Sequence, residues 1–306
     1  MIQERLKALR AEMEKRGITV YVVPTADFHE SEYVGDHFKA RKFITGFTGS
    51  AGTAVITLEE AGLWTDGRYF VQAENQLKDS TVTLYRMGEE GVPTVDEFIK
   101  DKLKEGGCLG FDGRVVNGTW GGKLEKIAAE KNASMHVTED LIDLIWADRP
   151  ALSKQPLFIL EEKYSGKSTA DKIADLRKAM KENGANVHIL TSLYDIAWLL
   201  NIRGNDIDYV PVVLSYLVLT ETECIWFLQE EVVDDKIRAY LNENHITTKP
   251  YDAIYDYVPE IPADTVVLMN RGSVNYRIVN SLNKAIKVVD KPNPVSYTHL
   301  TLPTKA

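Results

Sequence analysis

The sequence has few of the features that mark disulfide-rich, secreted or membrane-spanning proteins. It carries two cysteines in 306 residues, too few for a disulfide framework, so Cys108 and Cys224 are predicted to be buried, reduced thiols. The longest mostly apolar run, residues 209–219, is too short to cross a bilayer and contains Pro211. The N-terminus has no apolar stretch of the kind found in signal peptides. We therefore expect a cytoplasmic protein without a membrane partner.

The sequence also has fewer positively than negatively charged residues. Lys and Arg number 36 against 45 Asp and Glu, which gives a net charge of −9. This balance argues against a nucleic-acid partner, since such proteins usually present a basic surface. With 44% hydrophobic and 26% charged residues, the composition is typical of a globular protein, and the length favours two domains.

The familiar catalytic and metal-binding motifs are missing. There is no G-x-S-x-G elbow, no phosphate-binding GxxxxGK[ST] loop and no CxxC pair. His29, Glu30 and Glu32 cluster on a predicted loop, but they lack the i, i+4 histidine pair of a helical zinc site. A solvated loop is the favoured interpretation, with a metal site as the alternative.

A glycine-rich segment, GFTGSAG at residues 46–52, invites two interpretations. It could cradle a phosphate, or it could be a tight loop with close backbone packing. Phosphate loops lead into the N-terminus of a helix, whereas a β-rich run follows this segment. The tight loop is therefore favoured.

Periodicity predicts helices and strands in a mixed order. Apolar residues at helical spacing that end before a glycine predict a helix, and alternating β-branched runs beside turn residues predict strands. This order indicates an α/β fold in which mixed sheets are flanked by helices. The predicted helices cover residues 2–13, 69–77, 95–103, 124–131, 141–146, 168–183, 193–200, 234–242 and 274–282, and the strands 18–23, 51–57, 61–65, 81–86, 187–191, 212–219, 224–228 and 265–269.

The chain also shows an internal repeat. A proline-containing segment at residues 149–156 is the best linker candidate, and it predicts domains at residues 1–152 and 153–294. Four positions recur at a constant offset of 167 residues, in the same order of elements. The recurring pairs are Leu9 and Leu176, Met13 and Met180, Gly17 and Gly184, and Val20 and Val187.

Residues 295–306 fit neither domain. They have no helical period and no hairpin partner, and they resemble a translated sequencing adapter. We interpret them as a non-native tail.

Residue chemistry alone identifies no catalytic centre. Asp66 and Arg68 follow a predicted strand, where a guanidinium can bind a carboxylate or carbonyl bidentately, but a structural ion pair explains Arg68 as well. Arg203 and Asp206 raise the same question in the second half.

An ordered set of short strings resembles a known family. Together they look like the first two domains of three-domain Xaa-Pro aminopeptidases (aminopeptidase P, the M24B metallopeptidase family). The resemblance covers residues 1–294 and implies two tandem domains similar to the creatinase N-terminal domain, without the catalytic "pita-bread" domain. The strings are SEY (31–33), GFTGSAGTA (46–54), WTDGRYF (64–70), IWADRP (145–150), DKIADLR (171–177) and IAWLLNIRGNDI (196–207).

The resemblance implies part of a cytosolic enzyme that removes the N-terminal residue from peptides with proline second. Its two divalent metals, usually manganese, would lie in the pita-bread domain, so no catalytic residue, metal ligand or cofactor is assigned to this chain. The chain would govern substrate access and assembly and be inactive alone. Arg68, which is the arginine of the WTDGRYF string, would contact the peptide substrate. Members often dimerise, so a homodimer is a further expectation; the alternative is a stand-alone, non-catalytic peptide- or protein-binding module.

Overall fold

The computed structural model describes residues 1–295. Residues 296–306, which make up nearly all of the segment interpreted as a tail, lie outside the described residues. The chain divides into two compact units. The first is Met1–Leu152 with the short segment Asn275–Arg277, and the second is Ser153–Val274 with the chain from Ile278 onward.

The first unit is built on a six-stranded mixed sheet with the strand order β4-β3-β2-β1-β5-β6. The β1–β2 and β2–β3 pairs are antiparallel, and the other neighbours are parallel. Its elements are α1 (Ile2–Lys15), β1 (Val20–Pro24), α2 (Ala40–Thr45), β2 (Thr53–Thr57), β3 (Ala61–Thr65), α3 (Phe70–Gln76), β4 (Thr83–Arg86), α4 (Val95–Lys102), β5 (Cys108–Phe111), α5 (Gly118–Glu130) and β6 (Ser134–His136).

The second unit contains a sheet of the same design, with the strand order β12-β11-β10-β8-β13-β14. A two-stranded ribbon pairs β7 with β9. Its elements are β7 (Phe158–Ile159), α6 (Glu162–Ser165), α7 (Thr169–Glu182), β8 (Val187–Leu190), α8 (Leu193–Leu200), β9 (Ile202–Arg203), β10 (Ser215–Thr220), β11 (Cys224–Leu228), α9 (Asp235–Glu243), β12 (Ile246–Pro250), α10 (Ile254–Tyr257), β13 (Val266–Met269), α11 (Tyr276–Ser281) and β14 (Lys287–Asp290).

The two sheets confirm the predicted repeat. Strand directions match pair by pair, with β8–β10 and β10–β11 antiparallel and the other neighbours parallel. The repeated leucine and methionine positions of α1 and α7 are buried in both units. Gly17 and Gly184 both have a left-handed backbone, with φ of +69° and +66°, which explains why each helix ends at glycine.

The repeat extends to polar contacts that the sequence comparison had not included. In the first unit Arg10 on α1 donates from Nε to the carbonyl of Thr57, at 2.9 Å. In the second, Arg177 on α7 donates from Nε to the carbonyl of Thr220, at 3.1 Å. Each threonine ends the first strand of an antiparallel hairpin, β2–β3 or β10–β11, so one helix-to-strand contact is preserved in both units.

A second repeated contact joins α1 to α2 in the first unit and α7 to α8 in the second. Arg5 donates to the carbonyl of Phe43 at 2.8 Å and lies over its ring. Lys172 donates to the carbonyl of Trp198 at 2.8 Å and likewise lies over that ring. A cation over an aromatic face adds to the hydrogen bond, so each helix pair is fixed at equivalent points.

Several predicted elements need correction. The helix predicted at residues 141–146 is not formed: residues 141–145 form turns, in which the Tyr21 hydroxyl and the Asp140 carboxylate accept the N–H groups of Leu141 and Ile142. The helix predicted at 124–131 begins earlier, where the Asn117 side chain caps it. The strands β5 and β6 and the helix α2 were not predicted.

The cores confirm the globular prediction. In the first unit, alternate residues of β1 enter two apolar clusters, which lie on opposite faces of the sheet. Both cysteines are free and buried, which confirms their prediction as buried thiols. Within residues 1–295, no helix combines the length and apolar character needed to cross a membrane.

A histidine is fully buried in the sheet of the second unit. His188 on β8 places Nδ1 2.8 Å from the carbonyl oxygen of Leu268, and its Nε2 has no hydrogen-bond partner among the described residues. Burial lowers the pKa of His188 to about 4. The offset of 167 residues places Tyr21 at the equivalent position of β1, where it is also buried.

We expect His188 to limit stability in acid. The folded state holds the imidazole neutral, with a pKa of about 4 against 6.5 for an unperturbed group. Its contribution is therefore present above pH 6.5 and is lost as pH falls from 6.5 toward 4, by about 3 kcal/mol. Urea unfolding between pH 7 and 4 should show a smaller pH-dependent loss in His188→Leu than in the parent.

The matched control is His245→Asn. His245 is exposed and has a left-handed backbone, with φ of +54°, which asparagine tolerates. This variant should keep the parent's full acid dependence. The same acid dependence in His188→Leu as in the parent would contradict the assignment.

Candidate functional site

The predicted site residue, Arg68, lies in the turn between β3 and α3. Its guanidinium forms a bidentate pair with Asp66, from Nε to Oδ1 at 2.9 Å and from Nη2 to Oδ2 at 2.8 Å. The Arg68 side chain is 69% exposed. Because Asp66 occupies only one edge of the guanidinium fork, the Nη1 edge is left to meet a carbonyl or carboxylate.

The electrostatics of the pair favour its charged form. Hydrogen bonding to Asp66 raises the pKa of Arg68 above its ordinary value, and Arg68 in turn lowers the pKa of Asp66. The guanidinium also lies 5.2 Å from the centre of the Tyr69 ring. Arg68 is thus a permanent cation whose direction is set by two neighbouring side chains.

Tyr69 connects this turn to the glycine-rich loop. Its hydroxyl lies 2.6 Å from the Ser50 hydroxyl, and its ring meets Phe47 edge-on. Gln76, at the end of α3, accepts the N–H of Thr48 and donates to its hydroxyl. The arginine turn and the glycine-rich loop therefore form one hydrogen-bonded surface.

A second arginine, Arg41 on α2, holds the glycine-rich loop from inside. Only 4% exposed, it donates to the Thr25 hydroxyl and the Phe47 carbonyl, each at 2.8 Å, and to the Gly49 carbonyl. Burial lowers the pKa of Arg41 to about 10. The prediction from sequence missed this residue, because charge alone does not reveal an arginine that binds carbonyls.

The packing of the loop confirms the tight-loop interpretation. A Cβ on Gly49 would approach the Phe47 ring to 2.2 Å, and one on Gly52 would approach the Trp64 carbonyl oxygen to 2.8 Å. Side chains at these positions would displace neighbours that are themselves buried. Glycine is therefore required at positions 49 and 52, because neighbouring groups lie too close to the backbone there for a side chain.

The loop around His29 differs from the predicted solvated loop. His29 is only 2% exposed, and Asp27 beside it 1%, although Glu30 and Glu32 are exposed. The Asp27 carboxylate accepts the N–H groups of His29 and Ser31, each at 2.9 Å. Because these contacts turn the chain inward, the solvated-loop interpretation is wrong for His29.

Arg203 and Asp206 do not form the ion pair considered from the sequence. Arg203 donates to the carbonyls of Ala197 and Ile202. Asp206 accepts the N–H groups of Gln155 and Leu214, at 3.0 and 2.9 Å. Both residues brace loops of the second unit.

The structure offers no protein ligands for a metal centre in the part it describes. Across residues 1–295, no three or more His, Cys, Asp or Glu side chains are grouped so that they could hold an ion. The metals that the resemblance implies do not fit the residues that the structure describes, and no chemical step through a metal is derived from them.

The two units are copies of one mixed α/β domain, and the first presents Arg68 in the turn after β3. This arrangement defines a tandem-domain protein. Known sequences agree with this description: the creatinase/prolidase N-terminal domain is matched over residues 5–145 and again over residues 148–300. The chain belongs to the creatinase/prolidase N-terminal domain family. This confirms the predicted fold class of tandem creatinase N-terminal-like domains.

Curated relatives and a solved structure are similar over nearly the whole chain. A probable Xaa-Pro aminopeptidase P of Neurospora crassa is 38% identical over 93% of this chain, and one of Coprinopsis cinerea is 41% identical over 85%. The crystal structure of the X-prolyl aminopeptidase from Caenorhabditis elegans, a cytosolic enzyme with a dinuclear active site, matches 95% of this chain with a TM-score of 0.89 and 31% identity.

The chain spans less than half of each of these fungal relatives. The matches cover 42% of the Neurospora and Coprinopsis proteins and 50% of the Caenorhabditis structure. The resemblance to the Xaa-Pro aminopeptidase family is thereby confirmed for the part of those proteins that this chain represents.

Replacing Arg41 tests whether it supports the site. Arg41→Met leaves the Phe47 and Gly49 carbonyls without their donor, and each buried group left unsatisfied costs about 1–3 kcal/mol. We expect urea unfolding to show a loss of at least about 2 kcal/mol. Arg86→Met, which removes a partly exposed ion-paired arginine, should cost less than about 1 kcal/mol. Equal losses for the two variants would contradict the supporting role.

Proposed function

We propose that this chain is the substrate-access and assembly portion of a cytosolic Xaa-Pro aminopeptidase, with functional domains at residues 1–152 and 153–294. The whole enzyme would remove the N-terminal residue from peptides whose second residue is proline. The family membership and the two relatives of that description support this proposal. The chain itself would contribute binding and exclusion.

The observation that carries the proposal is the geometry of Arg68. An exposed guanidinium, aimed by a bidentate carboxylate and always charged, is suited to bind a peptide carbonyl or C-terminal carboxylate. Asp66 would set its direction, and the loop held by Arg41 would keep Tyr69 and Ser50 in place beside it. We assign Arg68 the role of a substrate-binding residue.

Two further points belong to the proposal. The dinuclear centre, which we expect to hold manganese, would be bound by residues outside this chain and would supply the activated water for hydrolysis. We expect a homodimer as the assembled form.

Arg68→Ala in the full-length protein should lower kcat/KM for longer Xaa-Pro peptides. Loss of a hydrogen bond to a charged group costs about 1.5–3 kcal/mol, which corresponds to a fall of about 10- to 100-fold. Dipeptide turnover should fall less, since a dipeptide is too short to reach every contact. Metal content, measured by elemental analysis, should be unchanged because Arg68 is proposed to bind the peptide and not the metals.

Two further variants serve as comparisons in this experiment. Arg68→Lys keeps the charge but loses the planar fork, so it should recover only part of the activity. Arg86→Ala, at the end of the neighbouring strand β4, should leave peptide kinetics unchanged. If Arg68→Ala retains the parent's kcat/KM for long peptides, Arg68 does not bind substrate.

A further inference from the structure

A second site in the first unit lies on the other face of the sheet from the arginine turn. It is a cavity of about 370 Å³, within the size range of small-molecule pockets, roughly 300–1,000 Å³. The cavity opens beside the end of β3 and the start of α4. Its walls include Thr53, Trp64, Met87, Pro93, Asp96 and Trp120.

The walls are largely apolar, but one carboxylate oxygen is available. Asp96 accepts the indole N–H of Trp120 on Oδ1 at 2.8 Å. Among residues 1–295, no side chain or backbone group donates a hydrogen bond to Oδ2 of Asp96, and no cation forms an ion pair with Asp96. The indole N–H of Trp64 is already used, since it donates to the carbonyl of Pro93 at 2.8 Å. Oδ2 of Asp96 is therefore the carboxylate oxygen of the cavity wall that can accept a hydrogen bond from a ligand.

The segment that supplies most of the cavity walls is acidic, although Lys100 follows one turn later on α4 and pairs with Glu130. Residues 87–97 contain Glu89, Glu90, Asp96 and Glu97 and no lysine or arginine. The preceding residue, Arg86, is directed to Glu74 and Glu89. An apolar cavity with an acidic rim favours a ligand that combines an apolar body with a positive group.

The duplicated fold shows what fills the same place in the second unit. In the strand registers, Thr53 pairs with Trp64, and Tyr216 pairs with Phe227 at the equivalent point. Tyr216 is fully buried. Its ring packs 5.0 Å from that of Tyr251.

The two units thus differ in what occupies the space beside this strand position. The second fills it with tyrosine rings, and the hydroxyl of Tyr216 meets that of Tyr255 at 2.8 Å. The first has the small Thr53 at the corresponding strand position, and the space beside it is open. The open volume is therefore suited to an aromatic ring.

We propose that this cavity binds an aromatic amine. The ring occupies the space beside Thr53, against Trp120, and the ammonium group donates to Oδ2 of Asp96. The same chemistry is offered by a free amine such as phenethylamine and by the N-terminus of a peptide that begins with phenylalanine. This site is separate from Arg68 and independent of the proposed peptidase function.

The indole N–H signals of the five tryptophans provide the test, in ¹H–¹⁵N spectra of the full chain titrated with phenethylamine. The Trp120 signal, assigned with Trp120→Phe, should shift saturably. Asp96→Asn should weaken binding by about tenfold or more, since it removes a charge-assisted hydrogen bond. The neutral analogue 2-phenylethanol should bind the parent more weakly by a similar factor.

Thr53→Tyr reproduces the residue of the second unit and should abolish binding by occupying the cavity. Thr53→Ser is its matched control and should bind as the parent does. Thermal unfolding followed by circular dichroism establishes that each variant is folded, and Asp96→Asn decides the question alone if Thr53→Tyr does not fold. No saturable shift in the parent, or unchanged affinity in folded Thr53→Tyr or in Asp96→Asn, would overturn the proposal.

Two peptides separate the sources of the amine. Phe-Gly-Gly amide binding within about tenfold of phenethylamine, with no binding of its N-acetylated form, would identify a peptide N-terminus as the ligand. Binding of phenethylamine without either peptide would identify a free amine.

Discussion

The buried guanidinium of Arg41 is the constraint on which the first unit's functional surface depends. A charge removed from water costs several kcal/mol unless acceptors surround it, and no carboxylate pairs with Arg41 among the described residues. The acceptors are carbonyls of the glycine-rich loop, so the loop must fold inward. Ser50 and Thr48 then contact Tyr69, beside Arg68, and Gln76, at the end of α3. Arg41 thus holds the loop against which Tyr69, one of the two neighbours of Arg68, is fixed.

Duplication explains which contacts are fixed and which are free to vary. Contacts that join helix to sheet, such as those of Arg10 and Arg177, recur at equivalent strand ends of both units. The opposite ends of the same strands, β2 and β10, differ between the units. At equivalent ends one unit has Thr53 beside a cavity and the other has Tyr216 in a packed core. The helix-to-sheet contacts are therefore common to the two units, whereas the residues at the Thr53 end of β2 and the Tyr216 end of β10 distinguish them.

Local signals explain how much of the fold could be predicted. Helix α8 was predicted with its observed bounds, and α7 was recognised from the Ser168 cap, because these signals act within a few residues. The parallel strands β5 and β6 were missed because four and three residues give too little alternation. The candidate site could be predicted only in part. Arg68 was proposed from the family resemblance, whereas the burial of His29 and Arg41 depends on partners distant in sequence and was missed.

The two proposed sites of the first unit lie on opposite faces of its sheet. Consecutive residues of β3 enter different core clusters, Leu63 on the side of Tyr69 and Trp64 on the side of Trp120. Arg68 therefore follows one face and Asp96 the other, although both lie near the end of this strand. If the open edge of Arg68 and the open oxygen of Asp96 lay within reach of each other, they would pair and lose their capacity to bind ligands. The alternation of a single strand keeps the two binding groups apart.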